Sequence, residues 1–397
     1  MQFIYIIYLL FLGIITLNVL YWVVFAVAGR LGKADDTDQL ETPLFFRKIG
    51  VLIPAYKEDA VIVDSVTENL KQIYPADRFD LIIIADSFHP QTLSQLATLP
   101  VKVLPVSFEV STVAKAINSA LSRLPIGQYD ILVVSDADNH MAPDFLSRIN
   151  IAFAQGWKAV QGHRVAKNIN TSVAILDAIS EEINNHIFRK ASRVVGLSSA
   201  TIGSGMAFEP ALMKAAMATQ HTMGGYDKEL ETNIVLSGHK IGYLENAFIY
   251  DEKVAQRAVF ENQRTRWIAA QWQFLTYYFW SGVRELFAGR FASGFKVMQA
   301  LILPKILLLG LLIITVFISF LTGKQAVWQI PLILLVLQIA SMIISVPAYL
   351  WKRVSIKELL LIPVLLLSFV RAMMNMRKAF KRFMHTPHNG SPDTQAP

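Results

Sequence analysis

The chain has 397 residues and no cysteine, which excludes a disulfide framework, a thiolate zinc site, an iron–sulfur cluster and a cysteine nucleophile. Charge is scarce: Asp, Glu, Lys and Arg make up 17% against 53% hydrophobic residues. With a mean hydropathy of +0.41, the chain is too apolar for an ordinary soluble protein and for dominant disorder. Two phosphate-binding signatures are also missing. No Gly-x-Gly-x-x-Gly follows the first apolar strand pattern and no Walker A Gly-Lys-Ser/Thr occurs anywhere, so the dinucleotide and P-loop readings fail. The eight histidines include no His-x-x-x-His.

The missing charge is missing in blocks. Met1 to Gly29 contains no charged side chain, which is enough to cross a hydrocarbon core needing roughly 20 helical residues. A cleaved signal peptide is disfavoured, because the charged n-region is missing, the apolar stretch is too long and no convincing small-x-small cleavage site follows it. Arg30, Lys33, Arg47 and Lys48 follow this run, so the positive-inside rule puts the next segment in the cytoplasm. Two further uncharged runs, Ile306–Gly323 and Gln325–Trp351, are separated by Lys324 alone and read as a membrane hairpin returning to Lys352, Arg353 and Lys357. Leu359–Val370 is short for a span and contains Pro363, so a re-entrant or interfacial helix competes with a fourth crossing. Arg371, Arg377, Lys378, Lys381 and Arg382 come next with no acidic residue between them, and the positive-inside rule puts this basic tail in the cytoplasm. Thirty-seven basic residues against thirty acidic give +7. Because the surplus gathers at these boundaries, it points to membrane lipids rather than to nucleic acid.

Between the apolar blocks, charge is normal from about residue 30 to 290. Ile49–Pro54, Leu81–Ala85, Val101–Pro105 and Ile131–Ser135 are short β-branched runs separated by helical stretches such as Ala60–Gln72 and Val113–Leu124. The pattern predicts an α/β domain with a mostly parallel sheet covered on both faces. Ligands of such sheets bind beyond the carboxyl ends of the strands. Carboxylates stand at three of those ends: Ala55-Tyr56-Lys57-Glu58, Asp86-Ser87 and Asp136-Ala137-Asp138. A single Asp there is commonly a helix cap or turn residue; three at one edge point to a site. Asp136 and Asp138, two apart, can offer oxygens to one hard cation that neutralises a diphosphate.

The ordered set VLIPAYKED (51–59), IIIADS, AKAINSAL with its Lys-x-x-Asn, SDAD, GSGMAF (203–208), GGYDKELETNIVLSGHKIGY (224–243) and QRTRW (263–267) resembles a membrane-integrated family 2 glycosyltransferase. Such enzymes are similar to cellulose, chitin, hyaluronan and poly-N-acetylglucosamine synthases. The resemblance covers roughly residues 48 to 290 and implies a GT-A fold (nucleotide-diphospho-sugar transferase) and an inverting, metal-dependent hexosyltransferase using Mg2+ or Mn2+. It implies that Ala55, Tyr56, Glu58 and Asp86 line the base and ribose pocket, that Lys115 approaches the diphosphate, that Asp136 faces the ribose and sugar, and that Asp138 binds the metal. Asp227 aligns with the general base. The preceding position, usually Glu, is Tyr226 here. Gln263, Arg266 and Trp267 match Gln-x-x-Arg-Trp on an interfacial helix, with Arg266 near the diphosphate and Trp267 near the acceptor sugar, and Arg264 a further candidate for the nucleotide sugar. His163 in VQGHRV and Gly205 in GSGMAF are candidate acceptor contacts. Competing readings are a helix N-terminal charge for Asp227, a lipid-binding patch for Arg264 and Arg266 and a tight turn for the glycines.

The organisation expected is a transmembrane helix at 1–29, a cytoplasmic transferase domain at 45–260, an interfacial region at 261–290, a hairpin at 295–351, a re-entrant, interfacial or fourth transmembrane helix at 356–384 and a disordered tail at 385–397. That is a multi-pass protein of the cell (inner) membrane. The favoured activity is processive extension of a polysaccharide from a UDP-sugar, with a homo-oligomer or an export subunit as possible partners. The alternatives are transfer of one sugar to a lipid-linked acceptor and a non-catalytic scaffold or export component.

Overall fold

The computed structural model describes residues 2–34, 45–221, 224–253, 257–321 and 325–379. Its strands are β1 (Ile49–Tyr56), β2 (Phe79–Asp86), β3 (Lys102–Val106), β4 (Ile131–Val134), β5 (His140–Met141), β6 (Ala159–Ala166), β7 (Met206–Phe208) and β8 (Gly242–Asp251). They form one sheet in the order β3-β2-β1-β4-β7-β6-β8-β5. β1 pairs in parallel with β2 and β4, and β2 with β3, through crossover helices Ile62–Asn69, Pro90–Leu96 and Val113–Arg123. The period of two along each strand divides the core. Val51, Ile53, Leu81, Ile83 and Val133 pack with Ile62, Val66, Phe145 and Ile149 on one face. Leu52, Ile82, Ile84, Leu132 and Val134 pack with Ile117, Leu121, Met213 and Ile234 on the other. Burying each such side chain contributes roughly 1.5–3 kcal/mol, and this is why the runs read as continuously apolar.

The expected parallel sheet holds for its first half and becomes mixed in the second. β7 runs antiparallel between β4 and β6, and β5 runs antiparallel to β8, while β6 and β8 are parallel. The reason is local. The chain enters β7 from the Gly203–Gly205 turn, opposite the end of β4 where Met206 pairs with Val134, and can only run back down the sheet.

The first helix, Gln2–Leu31, buries Leu12, Ile15, Val19, Trp22 and Ala26 at helical spacing. They pack on the segment around Ala178–Ala191 and on helix Gln325–Ser345. Among the described residues, Ile6–Leu31 and Trp328–Ser345 are long and apolar enough to cross a membrane; Phe291–Leu301 and Lys305–Leu321, bent by 61°, would together make a third. Proline marks both of the last apolar runs. The run to Trp351 stops being helical at Ser345, because Pro347 cannot donate to a helix ladder, and a short turn Ala348–Trp351 follows. The last apolar run belongs to one helix, Ile356–Ala379, with Pro363 inside it. The tail 385–397 lies outside the described residues, as do Lys381 and Arg382.

Candidate active site

Three loops meet at the carboxyl edge of the parallel strands. In the first, β1 and β2 end side by side, with Tyr56 paired to Asp86. The chain then turns through Lys57 and Ser87, non-glycine residues at φ 56° and 60°. Left-handed conformations cost such residues free energy and cluster where function needs a fixed backbone. The Lys57 N–H donates to the Asp86 carbonyl at 3.1 Å, which ties the two turns together. A narrow cleft lies beside them, lined by Ala55, Tyr56, Asp86, Thr112, Val113 and Ala116. Ala55 and Asp86 are buried, and Tyr56 and Glu58 are half-buried. Asp86 accepts from Ser87 Oγ at 2.9 Å. Thr112 caps helix Val113–Arg123 by accepting from the Lys115 N–H. Lys115 is exposed in that first turn, its Nζ donating to the Val110 carbonyl at 2.7 Å.

The second loop follows β4. Asp136 is half-buried and Asp138 is buried. With the Asn139 amide turned to satisfy its neighbours, its nitrogen lies 3.2 Å from both Asp138 and Asp251, and its oxygen accepts from Ser204 Oγ at 2.6 Å. Ser204 also accepts from the Asp136 N–H at 3.0 Å. The Gly203–Gly205 turn therefore holds the carboxylate loop from beneath. Gly205 has a positive φ, and a Cβ there would come within 2.7 Å of the Ile249 side chain, so its left-handed backbone and that side chain together require glycine.

The third loop carries Asp227, at the start of helix Tyr226–Leu236. A Cβ on Gly203 would lie 3.9 Å from both the Asp227 carboxylate and the Tyr226 hydroxyl. Tyr226 donates to the Gly203 carbonyl at 2.7 Å, and Thr201 donates to the Asp227 carbonyl at 2.8 Å. One turn thus touches both the Asp136–Asp138 loop and Asp227. Burial raises the Asp227 carboxyl above the ordinary carboxylate value; the nearby Glu231 charge adds to this, while the Lys228 backbone N–H works against it.

Beyond β6 and β8 the site is walled by buried charges. Arg164 donates to Glu181 at 2.6 Å and lies 3.8 Å from both Asp136 and Asp251. Lys253 pairs with Glu181, and with Asp251 at 2.6 Å. Burial alone would raise Glu181, but Arg164 and Lys253 hold it well below the usual carboxylate range. Along the same helix, Ser172–Asn184, Asp177 pairs with Arg264 of helix Arg257–Phe287. The Arg264 guanidinium stacks 4.1 Å from the centre of the Trp267 ring. Trp267 is 43% exposed. Arg266 is half-buried, and burial lowers its pKa. Gln263 is half-buried, and its Oε1 has no hydrogen-bond partner among the described residues.

Several sequence candidates stand differently from their expected roles. Arg264 pairs with Asp177 and stacks on Trp267. Both ring nitrogens of His163 are engaged, by the Glu245 carbonyl at 2.8 Å and by Glu182 at 3.0 Å, which leaves neither for an acceptor. Burial alone would lower the His163 pKa, but Glu182 raises it above the ordinary value. The residue missed is its neighbour Arg164. In VQGHRV the two are adjacent, and alternation along a strand sends them to opposite faces. The one usable signal was an arginine late in an apolar strand, where an unpaired charge is too costly.

The description "Glycosyltransferase like family 2" matches residues 47–270. The chain belongs to this family. Among its relatives, the beta-monoglucosyldiacylglycerol synthase of Synechocystis sp. is 25% identical over 282 residues, 65% of this chain and 58% of that protein. A probable glycosyltransferase, YdaM, of Bacillus subtilis is 24% identical over 227 residues, 55% and 54%. The chain therefore spans little more than half the length of the curated relatives it matches. The mannosyltransferase PcManGT of Pyrobaculum calidifontis, solved with GDP-Man and Mn2+, superposes with a TM-score of 0.51 at 17% identity, covering 84% of this chain and 93% of that one. At that identity the likeness shows a shared GT-A-like fold, built here on the mixed sheet.

Proposed function

We propose that this family 2 glycosyltransferase moves a sugar from a nucleoside-diphosphate sugar to an acceptor hydroxyl, with inversion at the anomeric carbon. The observation that carries this reading is the Gly203–Gly205 turn, which hydrogen-bonds the Asp136–Asp138 loop on one side and Tyr226, next to the half-buried Asp227, on the other. The base and ribose are assigned to the cleft at Ala55, Tyr56 and Asp86, and Glu58 and Lys115 belong to the loop and the helix that continue from its lining residues. Asp136 faces the ribose and sugar, and Arg164, 3.8 Å away, keeps that carboxylate oriented. The donor set fits a hard divalent cation. Asp138 is a carboxylate held by an amide, and no cluster of three His, Cys, Asp or Glu side chains forms a closed cage among the described residues. Mg2+ or Mn2+ held by Asp138 would complete its shell with water and diphosphate oxygens. When bound, the cation supplies charge stabilisation to the leaving diphosphate.

The acceptor hydroxyl is a weak nucleophile. As its oxygen bonds to the anomeric carbon, its proton passes to the Asp227 carboxylate, and the carbon–oxygen bond to phosphate breaks with its electron pair leaving on the nucleoside diphosphate. The raised pKa makes Asp227 a stronger base than an exposed aspartate. Arg266 and Gln263 donate toward the diphosphate end, and the exposed face of Trp267 receives the acceptor.

Two acceptor readings have support. Gln263-x-x-Arg266-Trp267 favours extension of a polysaccharide from a UDP-sugar. The apolar helices, which embed the chain in a membrane on this reading, and the similarity to a glycolipid synthase favour a lipid-borne hydroxyl. The test is to incubate the purified protein with a panel of labelled UDP- and GDP-sugars, with and without lipid acceptors, and to size and extract the product. A polymer, a labelled lipid or no product separates the two readings from a scaffold. Turnover by Asp227→Asn or Asp138→Asn equal to the parent would overturn the assignment of the site.

A further inference from the structure

A cleft of about 400 Å³ lies away from the strand ends, between the last turns of helices Gln2–Leu31 and Gln325–Ser345 and the turn Ala348–Trp351. Val27, Leu31, Ile343 and Ile344 are among its apolar walls, and Trp351 and Arg30 also line it. Arg30 is the one charged lining residue. It is exposed and makes no ion pair among the described residues. Lys33, Lys352 and Arg353 follow directly in sequence and are also exposed. An apolar slot closed by a guanidinium, at the ends of two helices long enough to cross a bilayer, has the polarity profile of a phospholipid: chain below, phosphate above.

We propose that this cleft binds one anionic phospholipid, with an acyl chain against Val27, Ile343 and Ile344 and its phosphate on Arg30. The inference rests on the membrane embedding in the reading above, but not on the identity of the sugar acceptor. Trp351, 41% exposed, covers the glycerol region, where amphipathic aromatic rings prefer to sit. The turn holding the lipid also carries Tyr349, whose hydroxyl donates to Glu182 at 3.1 Å. Glu182 in turn holds His163 of β6, so an occupied cleft steadies the turn that braces the sheet.

The full chain, purified in detergent, is incubated with equal amounts of phosphatidylglycerol and phosphatidylcholine, and retained lipid is counted by native mass spectrometry. The parent is expected to keep one phosphatidylglycerol in preference to phosphatidylcholine. Arg30→Gln should reduce that preference about fivefold, the share of one basic group near a lipid phosphate. Ala348→Phe, which narrows the slot, should reduce retention of both lipids. Millimolar inorganic phosphate should not displace the lipid, because the chain contributes most of the binding. An unchanged preference in Arg30→Gln, or displacement by free phosphate, overturns the proposal. Arg30 is exposed, so this variant keeps the fold and carries the test even if the larger residue at 348 disturbs the turn. Nucleoside diphosphate binding by the same preparation reports separately on the reading of the active site.

Discussion

The two halves of the site are built by different physics. On the proposed donor side, at the ends of β1, β2 and β4, the polar groups sit in short contiguous motifs placed by strand register, and the backbone does much of the holding: Lys57 N–H to the Asp86 carbonyl, and Asp136 N–H to Ser204. On the proposed acceptor side, beyond β6 and β8, the holding is done by buried ion pairs between different elements, Arg164 with Glu181 of the next helix and, across 72 and 87 residues, Lys253 with Glu181 and Arg264 with Asp177. The donor side can thus be altered at the surface without unravelling the fold. On the acceptor side, positioning and stability are one property, because an unpaired buried charge costs far more than the pair contributes.

Asp227, on the seam between the halves, should show the largest effect. Asp227→Asn is expected to lower kcat by about 10²–10⁴-fold while nucleotide affinity, measured by calorimetry, stays that of the parent. Next comes the acceptor wall. Glu181→Gln leaves Lys253 and Arg164 undercompensated and should cost about 3–5 kcal/mol of stability, read as a lowered melting temperature together with lost transfer. If the variant melts like the parent, the wall is not the stabilising element described here. Tyr56→Ala on the donor side should do the opposite. It should weaken nucleoside diphosphate binding about fivefold, since one aromatic contact is worth about 1 kcal/mol, at an unchanged melting temperature; a drop in melting temperature would erase the contrast between the halves. The smallest effect concerns pH. Asp227 must be ionised to accept a proton, and burial raises its pKa, so activity should fall on the acid side at a pH above the ordinary aspartate value of about 3.9. A kcat/KM profile whose acid limb sits at or below that value would remove the base role from Asp227.

Much of the donor half was legible in the residues. IGVLIPAY, LIIIAD and ILVV could hardly be anything but buried strands, and the carboxylates after them had to share an edge once those strands were parallel and adjacent. The motifs around Asp138, Asp227 and Trp267 were likewise readable one by one. Less legible was anything that depends on distance along the chain. His163 drew attention as the polar residue of VQGHRV, yet Arg164 faces Asp136, because the face each side chain takes is set by the pairing of β6 with β7 and β8. Arg264 looked like a nucleotide ligand by its neighbours in sequence, but Asp177, 87 residues earlier, claims it.

The sequence by itself determined the apolar blocks, the strands with both faces covered and the residue types at the strand ends, because hydrophobic periodicity and turn chemistry act over a few residues. Only the tertiary structure decided that β7 turns back to make the sheet mixed, that the Gly203–Gly205 turn joins Asp136 and Asp138 to Asp227, and that the acceptor wall is a chain of buried charges. Those outcomes depend on which charge finds which partner across the fold. In a chain without cysteine and with few charges, that pairing takes the place of covalent ties and fixes the site.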